Sequence, residues 1–108
     1  MFRSEARVPT AKASRYIAAL CKHFAHKISV EYDAAQGRAD FPFGVCRLQA
    51  DAETLIMLCE APDADALARV ESVVGVHLER FAWREKPVIS WLPAPNEGPA
   101  ATSEQGVG

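Results

Sequence analysis

The sequence predicts an α+β fold, a two-layer sandwich in which two helices cover one face of a mostly antiparallel sheet of about five to six strands. Three observations lead there. Residues 13–28 and 63–86 repeat apolar side chains at three- and four-residue steps, the period of a helix face. The intervening chain holds short stretches that alternate apolar and polar residues between turn-forming sequences. The helices therefore do not alternate with the strands, and the order reads β-α-β-β-β-β-α-β.

Taken in order, "SEARVPT" suits a short edge strand ended by Pro9. Thr10 or Ser14 is a suitable N-cap for the helix that follows, whose apolar stripe is Ala13, Tyr16, Ile17, Leu20, Phe24 and Ile28. "ISVEYD" alternates, with Val30 and Tyr32 on one face, and "AAQG" turns the chain back. "RADFPFG" puts Phe41 and Phe43 on one face, and Pro42 and Gly44 break the strand by a bulge or a tight turn. "VCRLQA" points Cys46, Leu48 and Ala50 inward. "TLIMLCEA" is apolar on both sides, as a central strand requires. Asp63 then caps a helix with Asp65 in its first turn, an apolar face of Leu67, Val70, Val74, Leu78 and Phe81, and Arg84 and Lys86 near its end. Pro87 stops it, and "VISWL" makes a closing strand. One domain over residues 1–92 results. From Pro93 the chain is Pro, Gly, Ala and Ser without apolar periodicity, a composition that predicts a disordered tail over residues 93–108.

Composition excludes several functions. Net charge is −2. Residues 1–27 carry six Lys/Arg and one acid, residues 28–65 two and eight, and residues 66–95 four and three. No dominant basic face emerges, and the aromatics are not interleaved with Lys/Arg on strands, so nucleic acid is not the expected partner. No apolar run approaches the roughly 20 residues that span a bilayer, and the N-terminus lacks signal-peptide character; cytoplasm is the expected compartment. Three cysteines, Cys21, Cys46 and Cys59, form no C-x-x-C pair and read as small buried apolar residues. No G-x-S-x-G elbow and no Gly-rich phosphate loop occur.

The histidines carry the remaining chemistry. Cys21, His23 and His26 are spaced C-x-H-x-x-H. At 100° per residue, however, Cys21 lies on one flank of the first helix, His23 at the boundary of the other and His26 toward solvent. His23 and His26 could share a metal as two ligands, with His77 on the second helix as the third, for zinc or iron. Arg80 and Arg84 follow His77 on the same flank; with Arg15 they could line a pocket for a small anion. Trp83 points outward, a feature that suits a homodimer or partner surface.

"SRYIAALCKHFAHK", "FPFGVCRLQAD" and "HLERFAWRE", in that order, resemble a bacterial family, domain of unknown function 2218. The likeness covers residues 5–92 and rests on Arg15-Tyr16, His23, His26-Lys27, Gly44 and His77-Leu78-x-Arg80-Phe81. It implies a small cytosolic domain, joined in some proteins to flavin-dependent siderophore-interacting reductases, and hence an accessory role in iron handling. Some relatives carry an aldolase label. The lysines here sit on polar helix faces or element ends, whereas a Lys-based aldolase needs a desolvated lysine. Three readings follow. The first is a binding module that takes an anionic ligand or metal chelate through Arg15, His23, His26, His77, Arg80 and Arg84. The second is a metal-dependent lyase or hydrolase using His23, His26 and His77, and the third is a homodimeric interaction module.

Overall fold

The alternating strands and both amphipathic stripes meet on one side of a single sheet. The computed structural model describes residues 1–94. Its elements are β1 (Phe2–Pro9), α1 (Ala13–Phe24), β2 (Ser29–Tyr32), β3 (Gln36–Phe41), β4 (Gly44–Asp51), β5 (Thr54–Ala61), α2 (Ala64–Phe81) and β6 (Leu92–Pro93). The six strands lie in the order β2-β3-β4-β5-β1-β6, every pairing antiparallel. The predicted class and element order are those of the molecule.

Register explains the core. Ala39, Cys46, Cys59 and Ser4 stand opposite one another across β3, β4, β5 and β1. One row along come Gly37, Leu48, Met57 and Ala6. All eight are buried on the helix-covered face. Onto this face α1 brings Ile17, Leu20 and Cys21, and α2 brings Val70, Val74 and Leu78, each with no exposed surface. Burying a Leu, Ile, Val or Met side chain stabilises by roughly 1.5–3 kcal/mol, so these rows and stripes hold the layers together. The opposite face carries Glu31, Arg38, Arg47 and Glu5 among its residues and stays open. No helix among the described residues is long and apolar enough to cross a membrane.

The differences from the sequence reading lie at element ends and in β1, which is not a short edge strand but pairs with β5 from Phe2 to Pro9 and with β6 at Ser4 and Glu5. Lys12, not Thr10 or Ser14, occupies the N-cap of α1. Thr10 instead accepts the Lys12 N–H at 3.0 Å, and the Ser14 hydroxyl donates to the Ala34 carbonyl in the β2–β3 turn. Helix α1 ends at Phe24, so His26 and Lys27 sit in a turn rather than on a helix face. Asp63 caps α2 as expected, its carboxylate accepting the Ala66 N–H at 2.8 Å. That helix stops at Phe81, leaving Arg84 and Lys86 beyond its last turn.

The reason is a contact with the other helix. The Glu85 carboxylate accepts hydrogen bonds from the Tyr16 hydroxyl and, at 3.2 Å, from Thr10. Reaching them bends the chain off the helix axis. Residues 87–91 then run irregularly, with Ile89 and Trp91 over Gly75 of α2. Only Leu92 and Pro93 pair with β1, and Ala94 N–H donates to the Arg3 carbonyl at 3.0 Å. Pro93 and Ala94 thus belong to the fold; the rest of the expected tail, residues 95–108, lies outside the described residues.

Candidate functional site

The groove starts where α1 runs out. Phe24 ends the helix on its buried stripe, with His23 beside it on the wetter flank. The following turn presents His26 and Lys27, and Ile28 leads into β2. Facing them is the tight β3–β4 connection: Phe41 pairs with Gly44, leaving Pro42 and Phe43 as a two-residue turn. Proline's fixed φ suits the first corner of such a turn. The third wall is α2, through Val73 and His77. Together they border an open groove of about 510 Å³, within the usual range for a small-molecule site.

Its walls are rings in contact. The His23 and His77 rings lie 4.4 Å apart between centroids, tilted by 40°. Phe24 meets His77 edge-on at 5.3 Å and Phe41 at 5.1 Å, and Phe41 stacks on Phe43 at 5.5 Å. The Arg69 guanidinium covers the Phe43 ring at 4.1 Å, and Phe81 closes on His23 at 6.0 Å. Such offset and edge-to-face contacts each add about 0.5–1.5 kcal/mol beyond burial and hold the rings in fixed orientations.

The electrostatics are one-sided. His77 Nδ1 lies 2.7 Å from the Val73 carbonyl. A carbonyl only accepts, so Nδ1 carries the proton and Nε2 is left for a ligand. The His23 pKa is lowered from its ordinary 6.5, first by loss of hydration and then by repulsion from His77, His26, Arg80 and Lys27. No Asp or Glu lines the groove. At the other end of the helix pair, burial and the hydrogen bond to Glu85 push Tyr16 up to about 12. The same bond, with that from Thr10, holds Glu85 below 4.5.

These shifts set the acid behaviour. A histidine with a depressed pKa contributes stability that is complete above 6.5 and is lost as pH falls from 6.5 through its folded value. The depressed Glu85 contributes stability above 4.5 that is lost as pH falls from there through its folded value. The melting temperature is therefore expected to fall in two steps on acidification. His23→Gln should flatten the upper step and Glu85→Gln the lower; a single step below pH 4.5 in both parent and His23→Gln contradicts the His23 assignment.

Of the residues expected to form the site, His23 and His77 are in contact and His26 lines the same groove. Arg80 acts on His23 through space but does not line it. Arg15 is elsewhere, beside Tyr16, and Arg84 lies over the Trp83 ring at 5.0 Å. The six-residue patch is thus a three-histidine groove with Arg80 at its edge, because Arg15 lies near the opposite end of α1 and Arg84 has left α2. Lys27, Ile28, Phe41, Pro42, Phe43 and Val73 complete the lining. Their signal was the "FPFG" turn flanked by two aromatics, legible as a strand break but not as a wall.

Among the described residues, no group of three His, Cys, Asp or Glu side chains is placed to hold a metal ion. In this arrangement His23, His26 and His77 are not such a group. Cys21, Cys46 and Cys59 are buried, as expected. The Cys46 thiol is pushed up by its hydrogen bond with Cys59 and by burial, which suppresses the nucleophilic thiolate.

A single antiparallel sheet under two helices defines a small α+β domain, with an aromatic groove where the helix pair meets a hairpin turn. The chain belongs to the family described as an uncharacterized protein conserved in bacteria (DUF2218), whose model matches residues 5–92. It is similar to PA4090 from Pseudomonas aeruginosa, a structure determined by NMR. The two share 42% identity and superpose with a TM-score of 0.76, over 89% of this chain and 100% of that one. Among curated proteins, none matches.

Proposed function

We propose that this domain is a binding module whose groove takes a small molecule with a planar apolar body and an acidic group. Aromatic carboxylates and catecholates have this form, including those that siderophores present as iron chelates. The observation that carries the reading is the contrast within one pocket. Phe24, Phe41 and Phe43 offer faces and edges for a ring, while His23, His26 and His77 bring imidazoles that become cations on protonation and Lys27 brings an ammonium, with no carboxylate lining the groove. Ring burial supplies affinity, and the imidazoles select for negative charge. An iron-handling role, alongside a flavin-dependent reductase, fits the same chemistry.

The test is calorimetric titration of the full chain with 2,3-dihydroxybenzoate, free and as its ferric chelate. Saturable one-to-one binding is expected, weakened about tenfold or more in His23→Ala/His77→Ala, since a hydrogen bond to a charged group contributes about 1.5–3 kcal/mol. Arg80→Ala should cost less, about two- to fivefold, because it acts across solvent. Affinity should rise as pH falls below 6.5, since the bound anion favours protonated His23. Unchanged binding in the double histidine variant sinks the reading.

A further inference from the structure

The sheet face opposite the helices holds a second cavity of about 490 Å³, which shares no lining residue with the histidine groove. Its composition follows from register. Across one row stand Glu31 on β2, Arg38 on β3, Arg47 on β4 and Leu58 on β5. The next row sets Gln36 opposite Gln49. Arg38 and Arg47 thus face each other directly, two like charges at a spacing where cross-strand pairs interact. A sheet normally avoids that arrangement, because it opposes pairing.

The other arginines of this face have carboxylates. Arg38 Nε donates to Asp40 at 2.9 Å, Arg3 Nε to Glu60 at 2.8 Å, and Arg7 to Glu5. Arg47 differs. It is half-buried, it lies between Arg38 and Leu58, and its guanidinium makes no ion pair or hydrogen bond among the described residues. A half-buried cation with a like charge opposite and no ion-paired carboxylate of its own is free to take a partner from outside.

We infer that Arg47, with Arg38, forms an oxyanion site on the open sheet face that binds a small carboxylate or phosphate. Two guanidiniums on neighbouring strands can share one such group, each giving paired N–H donors in the plane of its oxygens. Gln36 and Gln49 stand one row away with amide donors for the rest of the ligand, and Leu58 provides an apolar floor. Glu31 beside Arg38 and Asp33 at the turn border the cavity on the β2 side. They limit the site to a compact anion and exclude extended polyanions such as nucleic acid.

The site predicts opposite responses in binding and stability. Arg47→Met keeps the apolar stem but removes the charge, so it should weaken anion binding at least tenfold while leaving the melting temperature unchanged or higher. The experiment follows backbone amide and arginine Nε–H shifts of isotope-labelled full chain, titrated with inorganic phosphate and, separately, malonate. Saturable shifts at Arg38, Arg47 and Gln49 are expected, at least tenfold weaker in Arg47→Met and unchanged in His23→Ala/His77→Ala. Whichever anion saturates first identifies the phosphate or carboxylate class. The inference is overturned if neither anion produces saturable shifts on this face, if Arg47→Met binds as the parent does, or if the shifts map to the histidine groove. It is equally overturned if Arg47→Met lowers the melting temperature, since Arg47 would then be serving the fold.

Discussion

Gly44→Ala is expected to destabilise the domain by about 3 kcal/mol, a large share of the roughly 5–15 kcal/mol that holds a domain of this size together. A methyl group at this position would stand 2.5 Å from the Glu60 carbonyl oxygen, 2.7 Å from Val70 Cγ2 and 3.2 Å from Ala61 Cβ. The first contact decides the magnitude. Glu60 pairs with Val45 in the β4–β5 ladder, so its carbonyl cannot withdraw without disturbing the centre of the sheet. Val70 belongs to the fully buried stripe of α2, so retreat on that side lifts the helix. Two other glycines test whether geometry rather than residue type sets the cost. At Gly37 the added methyl would meet Cys21 Sγ at 3.0 Å and Ile17 Cγ2 at 3.1 Å, side-chain atoms that yield by a few tenths of an ångström; the expected loss is about 1 kcal/mol. At Gly75 the nearest atoms are 3.9 Å away, and alanine's better helix propensity should add about 1 kcal/mol. Urea unfolding of the three variants reads the series directly. A Gly44→Ala protein as stable as the parent would show that β4 does not approach α2 as closely as described.

That same approach explains what could and could not be read from the sequence. Period-two alternation in "VCRLQA" places Cys46 and Leu48 inward without knowledge of neighbours, and both are buried; "TLIMLCEA" is apolar on both sides, so only the register shows that Leu55, Met57 and Cys59 face the core. Helical spacing likewise puts His77 at the edge of the α2 stripe, where it is half-buried, and His23 at the α1 boundary, where it meets His77. The groove's third wall needed information that local patterns lack. Phe41 and Phe43 reach the histidines only because the β3–β4 hairpin closes in two residues and because Gly44 lets β4 draw close to α2. His26 faces the groove only because α1 ends at Phe24, short of its apolar period. Arg84 was misplaced for the converse reason: Tyr16 and Thr10 capture Glu85 and pull the chain off the helix. Tertiary partners set both ends, and propensity was silent about them.

Phe24→Ala, the second large effect, joins the fold to the groove. Phe24 is only 6% exposed, so truncation should cost about 3–5 kcal/mol through lost burial and a residual cavity. The ring also meets His77 and Phe41, so its loss frees both walls at once. Phe24→Leu separates the two roles. Leucine restores most of the apolar volume, so the stability loss should fall to about 1.5 kcal/mol or less, yet it offers no ring edge to His77. If the groove depends on oriented rings, Phe24→Leu should weaken 2,3-dihydroxybenzoate about three- to tenfold, from the 0.5–1.5 kcal/mol that an aromatic contact contributes. If the groove depends only on apolar volume, Phe24→Leu should bind as the parent does while still melting slightly lower. Affinity and urea midpoint measured on the same three proteins therefore decide between an oriented aromatic pocket and a merely greasy one. The tilted His23–His77 pair, braced edge-on by Phe24, favours the oriented pocket.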